Sequence, residues 1–140
     1  RPYLIYGPGQ SLDRLIPITI LNCMKNASFN CSTGKQIRNF MYVKDFSKVL
    51  YKFLFIKTNG EIINIGSQKN YKVKFIISRI RNLIGKGNPR YGKIKLRKDE
   101  ILKLYPNISK AKKTLNWNPK ISFNKGLKST INFYNGSKYN

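Results

Sequence analysis

The segment from Gly34 to Asp45 places an arginine where it could bind an anion. It opens on a glycine turn, continues through a short run of alternating polarity that carries Arg38, and ends at an aspartate that precedes a periodic apolar run. This order predicts a strand that leads into a helix, with a cation near their junction. Because a guanidinium pairs with two phosphate oxygens at once and stays charged at every working pH, Arg38 is the first candidate for a ligand contact.

Composition excludes several other kinds of site chemistry. The chain has no histidine, so it lacks histidine-based catalytic dyads and triads, and its two cysteines, Cys23 and Cys31, cannot make up a zinc site. We expect reduced, partly buried thiols in a cytoplasmic protein without a metal site. Glycosylation sequons begin at Asn26, Asn30 and Asn107, but they are weak evidence of secretion in a chain this rich in asparagine. No stretch resembles a signal peptide or a membrane span.

The elements that would position the arginine are predicted from the periodicity of apolar residues. A strand over residues 1–6 is followed by a helix over 17–25 and a loop over 26–35. A helix with Asp45 as its N-cap comes after the central segment, and five apolar residues form a stripe along one of its faces. The stripe consists of Phe46, Val49, Leu50, Phe53 and Leu54.

The second half of the chain continues the alternation of strands and helices. The pattern predicts a buried strand over 61–65, a helix over 73–84, a loop over 85–92, a short strand over 93–96, a charged turn over 97–100, and helices over 107–115 and 123–136. Such alternation predicts an α/β fold with a substantially parallel sheet. We expect one domain over residues 1–135 and a frayed tail over 136–140.

Positive charge dominates the composition. The chain has 28 Lys and Arg residues against 5 Asp and Glu residues, a formal net charge of +23. An excess of this kind generally favours a nucleic-acid or anionic-membrane partner. The cations are scattered through every segment instead of gathered in one block, which suggests a chain-wide drift in composition. A basic module that binds nucleic acid or another anionic surface is therefore kept as the alternative function, and nucleic acid is the less favoured partner.

Five short motifs occur in the order of one enzyme family. Residues 1–10 resemble RxFNxYGPGQ, residues 34–45 resemble GxQxRDFxYVxD, residues 64–67 match NIGS, residues 97–100 match RxxE, and residues 109–127 contain matches to SK, LGWxP and GL. Together they resemble the extended short-chain dehydrogenase/reductases, the NAD-dependent epimerase/dehydratase family that acts on nucleotide sugars. Within that family, the motifs of this chain are most similar in detail to those of the CDP-abequose synthase-like 4-ketoreductases.

The resemblance implies that this is the carboxyl-terminal part of such an enzyme. It would hold the last strands of a Rossmann-like parallel sheet and the small α/β substrate-binding region. Arg38 and Arg97 match arginines that contact the diphosphate in relatives, and Phe29 matches the wall against which the base lies. Gln36 belongs to the same substrate-binding motif. The substrate implied is a nucleotide-diphosphate sugar, and the reaction is hydride transfer at a sugar carbon.

The resemblance also implies NAD or NADP as the cofactor of the complete enzyme. Tyr3 and Leu4 would be this chain's contribution to a cofactor site that lies mostly elsewhere. The complete enzyme would have no membrane partner, and a homodimer is compatible with the family.

The residues that perform the chemistry in this family have no match here. The family binds the cofactor phosphates with a glycine-rich loop and transfers a proton with a tyrosine and a lysine four residues apart on one helix. The pair Tyr91 and Lys95 follows a Gly/Pro loop, and the pair Tyr134 and Lys138 crosses Gly136, so we assign no catalytic residue. We expect no NAD(P)-dependent activity from this chain alone.

Several positions depart from the family motifs. Leu4 replaces an asparagine whose amide can reach the substrate in relatives, and Asn39 replaces an aspartate, so it keeps a hydrogen-bonding side chain but loses a charge. Asn107 and Asn116 replace an aspartate and a glycine. A decayed fragment with no function of its own is therefore a third interpretation.

Overall fold

The computed structural model describes residues 1–57 and 59–136. Within these ranges the chain forms six strands and five helices. None of these helices is long and apolar enough to cross a bilayer. The predicted tail over 136–140 lies, except for Gly136, outside the described residues. The strands are β1 (Leu4–Tyr6), β2 (Ser28–Asn30), β3 (Ile37–Tyr42), β4 (Asn70–Lys72), β5 (Asn88–Arg90) and β6 (Lys103–Leu104). The helices are α1 (Leu15–Met24), α2 (Val43–Phe53), α3 (Val73–Ile84), α4 (Ser109–Leu115) and α5 (Phe123–Gly136).

The strand β3 is the centre of the main sheet. Its second half pairs in parallel with β1, in a register that aligns Leu4 with Phe40 and Tyr6 with Tyr42. Its first half pairs with β4, which is antiparallel, and with β6, which is parallel. The strands β2 and β5 form a second, parallel sheet. Parallel pairings thus predominate among the described strands, and the predicted α/β fold is confirmed.

Side chains alternate along β3 towards two core clusters on opposite faces of the sheet. Phe40 and Tyr42 join the first core cluster, together with residues of α1, α3 and α5. Met41 joins the second core cluster, together with residues of α2 and α4. Helices therefore cover both faces, which is the layered arrangement of α/β proteins. By the same period of two, Arg38 shares the face of Phe40, and Asn39 shares the face of Met41.

Two helices have the bounds that periodicity predicts. They are α3, which spans Val73–Ile84, and α5, which spans Phe123–Gly136. The first ends where Gly85 adopts a φ of 79°, a left-handed conformation that glycine reaches without strain. The helix α1 begins slightly earlier than predicted, at Leu15, with Pro17 in the first turn, where a proline removes no helical hydrogen bond.

The predicted strands differ most from the structure. Residues 61–65 make a single bridge, through Ile65, instead of a strand. Residues 93–96 are bends and irregular backbone, and the strand of this region is β6. The predicted loops over 26–35 and 85–92 contain β2 and β5. These strands are too short to show a two-residue period, so the pattern could not reveal them.

Asp45 is not the N-cap of α2, and this prediction is wrong. The helix starts at Val43, its N-cap is Tyr42, and no side chain caps it. Because β3 runs directly into the helix, no linker is present in which a capping residue could mark the boundary. Asp45 is buried in the first turn, and its Oδ2 accepts a hydrogen bond from Ile121 N at 2.8 Å. The carboxylate stabilises the positive end of the helix dipole and holds the loop before α5.

Both cysteines are free, buried thiols. Burial raises the pKa of Cys23 to about 11, and burial also raises the pKa of Cys31. Thiols with raised pKa values are poor nucleophiles at neutral pH, so neither is a candidate for catalysis. The expectation of partly buried thiols therefore understates their burial.

Tyr6 joins the end of β1 to α5. Its hydroxyl donates to Phe123 O at 3.0 Å, and burial raises the pKa of Tyr6 above its ordinary value of 10.0. We expect Tyr6→Phe to lower the free energy of unfolding by about 1 kcal/mol, because a buried carbonyl loses its donor. Since the folded pKa is the higher one, the stability that Tyr6 contributes is present below pH 10.0 and is lost as the pH rises further.

Urea unfolding of both proteins, at neutral pH and in alkali, measures the two effects of Tyr6. The wild type should lose more stability in alkali than the variant does. Equal stability of the two proteins at neutral pH would show that the hydroxyl contributes nothing.

Candidate functional site

Arg38 lies in the part of β3 that has neighbours on both sides. Its side chain is 14% exposed, and its guanidinium donates to Ile37 O at 2.9 Å and to Glu100 Oε1 at 2.5 Å. A guanidinium has five N–H donors. The remaining donors have no partner in the described part of the chain. The strand therefore holds a positive charge in a fixed orientation with donors still available to a ligand.

Glu100 connects the two arginines that are candidates for a diphosphate. Its carboxylate pairs with Arg38, and its backbone N–H donates to Arg97 O at 3.2 Å, which closes the turn that carries Arg97. The chain after this turn runs beside β3, where Ile37 N donates to Leu102 O at 2.7 Å. The structure thus brings Arg38 together with the predicted charged turn, in which Arg97 itself is exposed.

Gln36 and Phe29 occupy two different parts of the fold. Gln36 precedes β3 and is buried, and its backbone carbonyl accepts a hydrogen bond from Val73 N at 2.9 Å. Its side-chain Oε1 is also buried and has no hydrogen-bond partner in the described ranges. Phe29 lies on β2 opposite Pro89 and packs against the first core cluster, so it belongs to a different sheet from Arg38. The unsatisfied oxygen of Gln36 is the stronger candidate for a ligand contact.

The candidate cofactor residues lie where the chain enters the main sheet. Tyr3 is half-buried, and its backbone N–H donates to Ile65 O at 2.9 Å. Leu4 begins β1, which is an edge strand, and 43% of its surface is exposed. An exposed apolar side chain at a strand edge offers a surface on which a flat ring can pack.

Asn39 has a structural role that the sequence does not reveal. The side chain is 1% exposed. Its Oδ1 accepts a hydrogen bond from Ser67 N at 2.7 Å, and its Nδ2 donates to Asn70 Oδ1 at 2.7 Å. The same Nδ2 also lies 3.0 Å from Ser67 O and 3.3 Å from Lys69 O. One amide therefore fixes the turn before β4 against β3, and the lost charge at this position leaves no gap in the hydrogen bonding.

The candidate substrate residues line neither of two clefts that open on the described surface. One, of about 380 Å³, lies between the turn at residues 67–69 and the segment 119–124. The other, of about 570 Å³, lies between α2 and the turn at Trp117. Arg38 and Arg97 lie outside both clefts. A sugar nucleotide held by these arginines would need further walls to be enclosed.

The tyrosines of the two rejected Tyr/Lys pairs use their hydroxyls in hydrogen bonds within the fold. The hydroxyl of Tyr91 lies 2.9 Å from Ser78 Oγ, and burial raises the pKa of Tyr91. The hydroxyl of Tyr134, in α5, donates to Gln10 O at 2.8 Å. Lys138 lies outside the described residues. Each hydroxyl therefore joins two segments of the fold.

Most of the few acidic side chains have a partner within the described chain. Glu100 pairs with Arg38, Asp45 is buried, and Glu61 pairs with Lys110 at 3.3 Å. The surface is therefore dominated by cations, which raises the local concentration of an anionic ligand. In residues 1–57 and 59–136, no group of acidic or cysteine side chains is arranged to hold a metal ion.

Comparison with known sequences identifies relatives that work on nucleotide sugars. The sequence profile of the GDP-mannose 4,6 dehydratase family matches residues 3–130. The chain is 40% identical over 136 residues to UDP-glucuronate 4-epimerase of Thermodesulfobacterium geofontis, a match that covers 95% of this chain and 41% of the relative. It is 28% identical over 138 residues to CDP-abequose synthase of Salmonella typhimurium, covering 91% of this chain and 44% of the relative.

A solved structure agrees with these matches. The UDP-glucuronic acid 4-epimerase of Bacillus cereus, in complex with UDP-glucuronic acid and NAD, superposes with a TM-score of 0.87 at 27% identity. The match covers 96% of this chain and 44% of that one. The chain thus spans less than half the length of these relatives and corresponds to their carboxyl-terminal region. With the profile matched over nearly all of its length, the chain belongs to the GDP-mannose 4,6 dehydratase family, within the extended short-chain dehydrogenase/reductases.

Proposed function

We propose that the chain forms the nucleotide-sugar-binding part of an NAD(P)-dependent sugar-nucleotide epimerase, dehydratase or 4-ketoreductase. The observation that carries this proposal is the ion pair between Arg38 and Glu100, which fixes one arginine in β3 and the turn of a second, Arg97, beside it. One guanidinium fixed in β3 and a second on the adjoining turn suit a diphosphate, because each can pair with two phosphate oxygens. The relatives support this class of ligand, since the Bacillus cereus enzyme was solved with UDP-glucuronic acid.

Each side chain has a separate role in this proposal. Arg38 would bind the diphosphate through the N–H donors that Glu100 and Ile37 leave available. Arg97, which is exposed, would reach the same ligand from its turn. Gln36 would accept a hydrogen bond from the ligand through its buried, unpaired Oε1. Phe29 would face the base from the second sheet.

The cofactor would be held mainly outside this chain. NAD or NADP supplies an acceptor and donor of hydride when it is bound to enzymes of this kind. In this chain, the exposed Leu4 and the half-buried Tyr3 fit a packing contact with a flat ring at the edge of β1. The glycine-rich phosphate loop and the proton-transferring residues would come from the part of the relatives that the chain does not match.

Calorimetric titration of the chain with nucleotide sugars tests the proposed function. UDP-glucuronic acid, UDP-glucose, CDP-glucose and dTDP-glucose serve as ligands, and free glucose and glucuronic acid serve as controls. We expect one-to-one saturable binding of at least one nucleotide sugar and none of the free sugars, because the diphosphate makes the charged contacts. A folded chain that binds none of them would overturn the proposal. Steeply salt-dependent binding of duplex DNA instead would favour the basic binding module.

A further inference from the structure

The cleft between α2 and the turn at Trp117 contains an acidic side chain with an unused oxygen. We call it the α2 cleft; its volume is about 570 Å³. Asp45 lines it and is 1% exposed, and its Oδ2 accepts the hydrogen bond from Ile121 N. Its Oδ1 is buried and has no hydrogen-bond partner among the described residues. Because a buried carboxylate oxygen without a donor destabilises a fold, Oδ1 is an acceptor for a group that enters the cleft.

Lysines line the α2 cleft together with this acceptor. Lys48 and Lys120 are exposed and form no ion pair within the part of the chain that the structure describes. The third lysine of the lining, Lys52, already donates from Nζ to two carbonyl oxygens at the end of α4 at 3.1 Å. A ligand that matches the cleft therefore carries negative charge for two available ammonium groups and a donor for the buried carboxylate oxygen.

Aromatic rings form part of the same walls. Trp117 lines the cleft and is buried in the second core cluster, which fixes its ring in place. Tyr51 also lines the cleft and is largely exposed, with its ring 5.0 Å from the ring of Phe55. Sites for small molecules commonly measure about 300–1,000 Å³ and combine aromatic walls with a few polar groups that fix the ligand's orientation. A sugar ring, with C–H groups on its faces and hydroxyls around its edge, suits such walls.

The turn that borders the cleft carries a polar side chain in an unusual conformation. Asn116 follows α4 and adopts a φ of 42° and a ψ of 49°, which is left-handed. Asparagine is one of the few residues besides glycine that visit this conformation. Asn116 lines the cleft, so its amide is available there as a donor and an acceptor. The glycine that Asn116 replaces in the family motif would supply no such group, so this wall is a feature of this chain.

We propose that the α2 cleft binds a phosphorylated sugar. The phosphate pairs with Lys48 and Lys120, and a ring hydroxyl donates to Asp45 Oδ1. A phosphate monoester suits two cations better than a carboxylate does, because it carries nearly two negative charges at neutral pH. Arg38 and Arg97 lie outside the cleft, so the proposal does not depend on the binding of a nucleotide sugar by these arginines.

Titration of the chain with glucose 1-phosphate tests the proposal. Calorimetry measures binding, and fluorescence locates it, because Trp117 is the only tryptophan and lines the cleft. We expect saturation in both signals, a Kd at least about tenfold higher for inorganic phosphate, which lacks the ring contacts, and no saturation with glucose. A folded chain that does not bind glucose 1-phosphate, binds it without a change in fluorescence, or binds inorganic phosphate as tightly would overturn the proposal.

Replacing Asp45 by asparagine tests the hydroxyl contact. The variant keeps an acceptor for Ile121 N but places an amide donor at the position of Oδ1, which a ligand hydroxyl cannot use as an acceptor. We expect the Kd for glucose 1-phosphate to rise at least about tenfold, since a charge-assisted hydrogen bond is lost. Circular dichroism checks that the variant is folded. A folded variant with the wild-type Kd would contradict the assignment of Asp45.

A matched pair of lysine substitutions keeps the test independent of Asp45. Lys48→Ala should raise the Kd for glucose 1-phosphate about tenfold, because one of the two phosphate contacts is lost. Lys44→Ala removes an exposed charge from the same helix outside the cleft, and salt screens such a charge, so its Kd should stay within about twofold of the wild type. Equal Kd values for the two variants, or displacement of glucose 1-phosphate by UDP-glucuronic acid, would contradict a separate site in the α2 cleft.

Discussion

Replacing Arg38 by alanine is expected to weaken the binding of a nucleotide-diphosphate sugar about 50-fold, since charge-assisted hydrogen bonds contribute roughly 1.5–3 kcal/mol and about 1.4 kcal/mol changes Kd tenfold. The guanidinium is 14% exposed and oriented by its bond to Glu100, so little reorganisation is needed when the ligand binds. Calorimetric titration of the wild type and the variant with the best-binding nucleotide sugar gives the ratio of the two Kd values.

Two further variants separate the contact at Arg38 from the general positive field. Arg38→Lys keeps the charge but loses the two-pronged geometry, so its affinity should lie between those of the wild type and Arg38→Ala. Arg81→Ala removes an exposed charge from α3 and should bind like the wild type. A similar loss in Arg81→Ala and Arg38→Ala would show that the net charge, and not a site at Arg38, attracts the ligand.

The partner of Arg38 complicates its removal and offers a second check. In Arg38→Ala the carboxylate of Glu100 is left without its cation and would repel a diphosphate. The double variant Arg38→Ala/Glu100→Gln removes that repulsion. We expect it to bind more tightly than Arg38→Ala and more weakly than the wild type, which apportions the loss between lost attraction and new repulsion.

Replacing Asn39 by leucine is expected to lower the free energy of unfolding by about 2–4 kcal/mol, because a buried amide that both donates and accepts is removed while its partners stay buried. Ser67 N would lose its acceptor, and Asn70 Oδ1 would lose its donor. Leucine has a similar size, so the effect reflects hydrogen bonds more than a cavity. Urea unfolding followed by circular dichroism measures the change.

The matched control for Asn39 is an asparagine on the surface. Asn82→Leu, at an exposed position of α3, should change the stability by no more than about 0.5 kcal/mol. If Asn39→Leu were as mild as Asn82→Leu, the turn before β4 would be held by its other contacts, and the role assigned to Asn39 would be wrong.

The sequence predicts best the elements in which apolar residues recur at regular spacing over several turns. The bounds of α3 and α5 follow from stripes that run over several turns, and Gly85 marks the end of the first. The strands β2, β5 and β6 have three residues or fewer, which is too short for a period of two to be recognised. Their pairing depends on partners far away along the chain, which local pattern does not specify.

The candidate site likewise contains residues that could be predicted from the sequence and contacts that could not. Arg38 could be predicted as a ligand contact because a guanidinium pairs with two phosphate oxygens and stays charged at every working pH, and the motif at residues 97–100 indicated Arg97. That Glu100 holds Arg38 could not be predicted, because the two residues meet only when β6 runs beside β3. The sequence presents Asn39 as a lost charge, whereas its burial and its four neighbouring polar atoms become visible only in the folded chain.

A double-mutant cycle of Arg38→Ala and Arg97→Ala, measured by calorimetry with a nucleotide-diphosphate sugar, tests most directly whether both arginines hold one diphosphate. If they do, each single variant weakens binding, and the loss in the double variant differs from the sum of the single losses, because both side chains act on the same group. A wild-type Kd for Arg97→Ala, with a double variant no weaker than Arg38→Ala, would contradict a shared diphosphate site.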